Sequence, residues 1–398
     1  MPKKPTKVPF VHLHNHTEMS FLDGVTKIKD IVAKAKSEGM TALAITDHGN
    51  MYGALKFYNE CKRCDIKPII GCEIYVTNDT YPADGSEPAE RNRDNYHLIL
   101  LAENNTGYHN LIKIVSEATE HFYYRPRATK EMLRKYSEGL IALTACLGGE
   151  LCRAIATGGY DAGKKIVDEY IDIFGRDNLY LEIQKHNIPD EARIYPIVVQ
   201  LAKDMGMKVV ATNDIHYIDR TGAKAQDILF CVQSKKRLID DDRMKSVTSE
   251  CYFKSAEEMH ALFKNGLHCM SNTVEIANRC NVELTMKQDL APHFPSVPEG
   301  ETESSYLRKL CEDAITKKYP TDGISLDVAR KRMDYELGVI DAMGYSGYFL
   351  VVWDFILWAR QNGIIIGPGR GSGAGSIVCY LTDITQLEPI SLGLLFER

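Results

Sequence analysis

The sequence predicts an α/β fold, a seven-stranded barrel followed by a mostly helical region, and three observations carry that expectation. Seven short apolar, β-rich runs fall before residue 220. Helix-patterned segments separate most of them, as in a parallel sheet with crossover helices. The runs stay apolar through the middle and turn polar only at their carboxyl ends, as strands buried on both faces do.

In order, the runs are PFVHLHNH (9–16), ALAITDHG (42–49), PIIGCEIYV (68–76), YHLILLAE (96–103), GLIALTACL (139–147), LYLEIQKH (179–186) and KVVATNDIHY (208–217). Helical spacing of apolar residues marks TKIKDIVAKAKSEGM after the first run and EARIYPIVVQLAKDMGM before the last. Beyond residue 220 come SAEEMHALFKN and NTVEIANRCNVEL, then the proline-bearing KQDLAPHFPSVPEGETES, which reads as a connection. A last, mostly helical region runs from 306 to 398 and contains the glycine-dense GIIIGPGRGSGAGS. We therefore expect one domain over 1–272 and a second, incomplete one over 273–398.

With 398 residues, 44% of them hydrophobic and 26% charged, the chain has the make-up of a globular protein rather than a disordered or fibrous one. Its formal charge of −6 argues against a protein that grips nucleic acid by bulk positive charge, though not against local patches or metal ions. No apolar run approaches the roughly 18 residues of a membrane span. The amino terminus leads into VHLHNHTEMS rather than an apolar stretch, unlike a signal peptide. Eleven scattered cysteines read as reduced thiols, and the expected location is the cytoplasm.

Parallel strands of a barrel bring their carboxyl ends to one face. Those ends carry His14 and His16, Asp47 and His48, Glu73, Cys146, His186, and Asp214 with His216. His12, His14 and His16 alternate, so in a strand all three point to the same side. Imidazoles with carboxylates such as Asp23, Glu73 and Asp214 suit manganese, iron or zinc. Two or three such ions, roughly 3.5–4 Å apart, would clamp a phosphate ester and activate a water. The same layout serves amide hydrolysis, so the pattern by itself leaves the substrate open.

HLHNHTEMSFLDG, ITDHGNMYG, GCEIYV, NYHLILLA, LTACLGGE and TNDIHY resemble, in order, the motifs of the PHP (polymerase and histidinol phosphatase) domain, in the form found at the amino terminus of bacterial replicative DNA polymerase III alpha subunits. The resemblance implies a distorted (β/α)7 barrel. It also implies metal ligands at His14, His16, Asp23, His48, Glu73, His97, Cys146, Asp214 and His216, and a 3′-to-5′ exonuclease whose nucleophile is a water held by those metals. His97 opens its strand instead of closing it, and a hairpin after Glu73 would bring it back to the site. His12 and His186 are expected to orient ligands.

GPGRGSGAGS (367–376) follows an apolar run and precedes the helix-like IVCYLTDI, a setting in which backbone N–H groups approach phosphate. It matches neither a P-loop nor the dinucleotide fingerprint. By the resemblance it is the start of a palm domain, with Arg370, Gly371, Ser372 and Ser376 on the triphosphate of an incoming nucleotide. The palm aspartates, which would hold magnesium in the full polymerase, are expected beyond LLFER, so this chain should not extend a primer. DNA, a deoxynucleoside triphosphate and other replisome subunits are the implied partners.

Two further signals are weaker. Cys61 and Cys64 form C-x-x-C with no second pair at zinc-ribbon spacing, and read as two thiols on a helix. HFYYRPRATKEMLRKY (121–136) interleaves aromatic and basic residues, as single-stranded nucleic-acid binders do and as an ordinary solvated face also does. Two other functions compete with the nuclease. One is a small-molecule phosphatase of the histidinol-phosphate type, which would not need the 367–376 segment. The other is a metal-stiffened structural or partner-binding module, which closed coordination would favour.

Overall fold

The structure is a computed structural model that describes residues 9–79, 92–246, 248–264, 266–285 and 292–397. They fall into two compact units, 1–284 and 285–398.

The first unit is built on a curled sheet of seven strands: β1 Ala42–Ile45, β2 Lys67–Thr77, β3 Tyr96–Ala102, β4 Arg127–Thr129, β5 Leu140–Leu143, β6 Leu179–Ile183 and β7 Lys208–Ala211. The strand order is β1-β2-β3-β5-β6-β7, with β4 paired to β2. The run at 9–16 is not a regular strand. It fills the gap between β1 and β7 instead: Ala44 N donates to His12 O (3.1 Å), Thr46 N to Asn15 O (3.0 Å), His16 N to Ile215 O (2.7 Å) and Ile215 N to His14 O (3.2 Å). That segment turns the sheet into a barrel of seven staves.

One expectation is corrected. The sheet is not wholly parallel, because β3 runs antiparallel to both β2 and β5. No helix lies between β2 and β3 among the described residues, and antiparallel neighbours need no crossover. β4, which lies inside the aromatic and basic 121–136 stretch, was not foreseen.

Side chains along the strands alternate between two apolar clusters, as the period of two requires. Leu43, Ile45, Ile70, Cys72, Leu98, Leu100, Leu181 and Val209 face the outer helices. Ile69, Ile99, Leu101, Ile141, Leu143, Tyr180 and Val210 fill the barrel with Val11 and Leu13. Ile28–Ser37 shows how the helices cover the outside: its buried residues Ile28, Ile31, Val32 and Ala35 recur at the spacing of one helical face. Helix Leu267–Arg279, through which the sequence-based boundary runs, lies wholly in the first unit. It brings Ile276 and Ala277, and Cys280 follows it; all three join the cluster inside the barrel.

The interior pattern also explains where the polar residues emerge. Following inward-facing positions toward the carboxyl ends, Ile69 leads to Glu73, Tyr180 to Glu182, and Val210 to Thr212 and Asp214. Antiparallel β3 does the reverse: His97 stands at its start, ahead of Ile99 and Leu101.

The second unit is helical among its described residues. Glu303–Lys318, Leu326–Ala342 and Ser346–Gln361 pack with the short Ile377–Leu381 around Leu307, Cys311, Ile315, Met333, Leu337, Leu350 and Val378. No single helix among the described residues is long and apolar enough to cross a membrane.

Candidate metal centre

The site lies at the end of the barrel where the strands turn polar. Backbone bonds extend the β1–β2 pairing past β1, Glu73 N donating to Asp47 O (3.1 Å) and Gly49 N to Glu73 O (2.8 Å), so that His48 and Glu73 stand side by side. His97 N donates to Gly148 O (3.1 Å), tying the start of β3 to the turn after β5. A Cβ on Gly148 would stand 3.1 Å from the His97 ring, so the glycine makes room for that imidazole. Asp214 sits in the left-handed backbone region (φ 46°), which aspartate tolerates better than most residues.

Glu73 is the hub. Its Oε2 lies 2.7 Å from His14 Nε2 and 3.6 Å from His16 Nε2, and its Oε1 lies 2.8 Å from His48 Nδ1 and 2.9 Å from His97 Nδ1. Asp214 Oδ1 is 3.2 Å from His14 Nε2, 3.1 Å from His16 Nε2 and 3.5 Å from His216 Nδ1. Asp23 spans His48 (3.1 Å) and His216 (3.5 Å). Cys146 Sγ lies 3.5 Å from His97 Nδ1. The nine residues singled out as metal ligands therefore meet in one place.

Three sets of donor atoms each lie within 4.8 Å of one another: His16, His48 and His216; His14, His16, Glu73 and Asp214; and Glu73, His97 and Cys146. His16 Nε2 and Asp214 Oδ1 lie 3.1 Å apart but are buried without a well-aligned hydrogen bond, although buried polar atoms as a rule have one. Those two atoms aim into the second set, so the residues present fit a divalent cation. A cavity of about 320 Å³ opens onto the cluster, lined by Asp23, His48, His97, Cys146, Asp214 and His216 together with Phe230 and Met244.

The electrostatics express mutual dependence. Burial opposes charge on His14, yet Asp214 and then Glu182 hold it well above the ordinary histidine range. Burial likewise opposes charge on His48, and Glu73 raises it. His216 is raised to about 9 against burial, by Asp23 and then Asp214. His16 is lowered, by burial and then by His48 and His216. Burial works against ionised Glu73, but His97 and His48 hold it well below the usual carboxylate range. Burial, with Asp214 and Glu73, pushes the Cys146 thiol up.

The structure also supplies residues that sequence reasoning missed. Glu182 is fully buried, and its Oε1 accepts from His14 Nδ1 (2.7 Å) and Gln184 Nε2 (3.0 Å), as well as from Thr212 Oγ1. A carboxylate behind a ligating histidine fixes its tautomer and ring orientation. Gln226 Nε2 donates to Asp23 Oδ1 (2.7 Å). A carboxylate and an amide at alternating positions of an otherwise apolar strand, Glu182 and Gln184, were the available signal.

Two expected helpers do not bond a ligand side chain, although His186 lines the cavity. The bend at His14 breaks the alternation of 12, 14 and 16, so His12 turns away: its Nε2 donates to Lys254 O (2.8 Å) and its ring packs between Phe10 and Phe253. Burial lowers His12 to about 4. His186 is held by Glu191 (2.9 Å) and donates to Asn213 O (3.1 Å), so it braces the backbone next to Asp214 rather than a ligand side chain.

In the glycine-dense segment, Arg370, Gly371 and Ser372 are exposed, whereas Ser376 is 4% exposed. Ser376 accepts from Cys379 N (3.2 Å) and donates to Glu336 Oε2 (2.7 Å), so its hydroxyl is spent on a helix cap and a buried carboxylate. Cys61 lies on helix Ala54–Arg63 and Cys64 just after it, and all eleven cysteines are free.

The PHP domain family matches residues 12–186, and the bacterial DNA polymerase III alpha NTPase domain matches residues 305–398. The DNA polymerase III subunit alpha of Treponema pallidum is 43% identical over 393 residues, 98% of this chain and 33% of that one. The chain carries a PHP domain followed by a stretch of the bacterial DNA polymerase III alpha NTPase domain. The Borreliella burgdorferi subunit is 42% identical over 98% of this chain and 34% of its own length. The chain thus spans about a third of the curated relatives it matches. Among solved structures, a two-domain Bacteroides vulgatus protein described as containing a PHP-like metal-dependent phosphoesterase aligns over 68% of this chain and 69% of its own, at 12% identity and TM-score 0.35.

Proposed function

We propose that the PHP domain is a metal-dependent phosphoesterase acting on the 3′ end of a polynucleotide, a 3′-to-5′ exonuclease, within the amino-terminal part of a replicative DNA polymerase alpha subunit. The observation that carries this reading is the convergence of nine metal-competent side chains beneath an open cavity that six of them line. His14, His16, Asp23, His48, Glu73, His97, Cys146, Asp214 and His216 would hold the ions. This mixture of imidazole, carboxylate and one thiol suits zinc, manganese or iron. When bound, two or three such ions supply Lewis acidity toward a phosphoryl oxygen and an activated water.

The protein's own part is positioning. Glu182 orients His14, Gln226 holds Asp23, and the barrel core keeps Glu73 fixed among four imidazoles. A cavity that opens onto the donors favours catalysis over a closed structural site. In the second unit, exposed Arg370, Gly371 and Ser372 would meet a nucleotide triphosphate, and the buried Ser376 would brace that loop. DNA, a deoxynucleoside triphosphate and other replisome subunits belong to this reading of the whole protein, as does magnesium.

The test follows loss of the terminal nucleotide from a 3′-labelled primer, with manganese or zinc added. We expect loss that needs metal and falls in Asp214→Asn by more than the roughly 10- to 100-fold that an outer-shell change costs. A metal-loaded wild type that leaves the primer intact would overturn the exonuclease reading.

A further inference from the structure

The aromatic and basic stretch at 121–136 has no part in the metal cluster, yet the fold sets its first turn on the cluster's rim. Tyr123 N donates to Arg125 O (3.0 Å), closing a tight turn whose tip is Tyr124. Tyr124 lies in the left-handed region (φ 62°), where a bulky side chain is strained, and its ring is 63% exposed. Phe122 beside it is 58% exposed. The Tyr124 ring meets the Tyr123 ring edge-on (4.7 Å), yet most of its surface stays open.

The turn is anchored to the site. Pro126 packs so closely on Gly49, the residue after His48, that a Cβ there would lie 2.8 Å from its ring. The Arg125 guanidinium lies 5.4 Å from the Tyr75 ring centroid. Tyr75 in turn stacks on His48 (6.0 Å) and meets His97 edge-on (5.3 Å). The Arg93 guanidinium lies 5.6 Å from the Tyr124 ring centroid. No acid pairs with Arg93 or Arg125 among the described residues.

We propose that Phe122, Tyr124, Arg93 and Arg125 form a platform that binds single-stranded nucleic acid and feeds its 3′ end to the metal centre. Exposed aromatic rings stack on bases without regard to sequence, and unpaired guanidinium groups contact phosphates. Duplex offers no free base faces, so the platform selects single strands. The proposal rests on the phosphodiester reading above and names the substrate form that reading leaves open.

The experiment measures binding of the 398-residue chain to a short 5′-fluorescein oligothymidylate by anisotropy, in EDTA so that chemistry is silent. The double variant Phe122→Ala/Tyr124→Ala should weaken binding roughly tenfold or more, as loss of base stacking does. Tyr124→Phe should bind as the wild type does. Arg125→Ala should weaken binding and flatten its dependence on salt by about 0.7 in the log–log slope per lost phosphate contact. A circular-dichroism melt of each variant guards against misfolding.

Wild-type affinity and salt slope in both the double variant and Arg125→Ala would overturn the platform. If the same protein still trims the 3′-labelled primer with manganese, the exonuclease reading survives that loss. A wild type that neither binds nor trims oligonucleotides, but cleaves a small phosphate ester, would overturn both.

Discussion

His14 presents one ring nitrogen to Glu182 and the other to Glu73 and Asp214, so in the metal-free protein it donates at both ends and carries a positive charge. His48, between Glu73 and Asp23, is in the same position. Protons therefore stand between donors that a cation would otherwise join, and binding must expel them. His216, raised to about 9, keeps its proton across the neutral range. The sign follows: apparent metal affinity rises with pH through the neutral range and beyond, and loading at pH 7 releases protons. Titration calorimetry with manganese, repeated in buffers of different ionisation enthalpy, should show proton release at pH 7. Equal heats in all buffers at pH 7 would contradict positive charge on His14, His48 and His216. Seven of the nine candidates were legible as metal-competent residues at or near the carboxyl end of a run, whereas Asp23 lies in the loop after the first run and His97, at the start of its strand, was reached through the family resemblance. Glu182 was not legible, since a carboxylate inside a strand takes its meaning from the histidine opposite, and that neighbour is 168 residues away.

At the scale of elements, the strands were legible from apolar runs with polar ends, and their bounds came out shorter than the runs except at β2, which extends one residue past its run at each end. The polar tails, such as Thr46 to Gly49 and Thr212 to Tyr217, leave the ladder to form the site. The direction of β3 was not legible from strand chemistry, because an apolar run reads the same both ways. Only the place of His97 at its start hinted at the reversal. The fold also separates jobs along the barrel axis: the carboxyl ends carry the donors, while Ile276 and Ala277 of helix Leu267–Arg279 belong to the apolar filling. Ile276 is fully buried. Ile276→Ala should cost about 2–5 kcal/mol of stability, as comparable core truncations do. Urea unfolding would read that loss, and the metal content of the folded variant, measured by mass spectrometry, should match the wild type. Loss of metal from the folded variant would show that the helix also shapes the site.

For the whole molecule, two separate apolar cores make a prediction about cooperativity. The barrel and its outer helices account for one set of buried residues, and the helices around Leu307, Met333 and Leu350 account for another. The sequence marked this division by its shift from strand-rich to helical patterning, but it placed the boundary inside Leu267–Arg279. That helix has no strand chemistry of its own, and only its packing on the barrel reveals where it belongs. The candidate donors, too, all come from the first unit. A ligand stabilises the cooperative unit that binds it, by about 2.7 kcal/mol at one hundred times its dissociation constant. Scanning calorimetry should therefore resolve two transitions, and manganese or zinc should raise one of them while leaving the other in place. A single transition moved whole by metal would mean that the two cores unfold as one body, and that occupancy of the site is felt as far as the glycine-dense loop at 367–376.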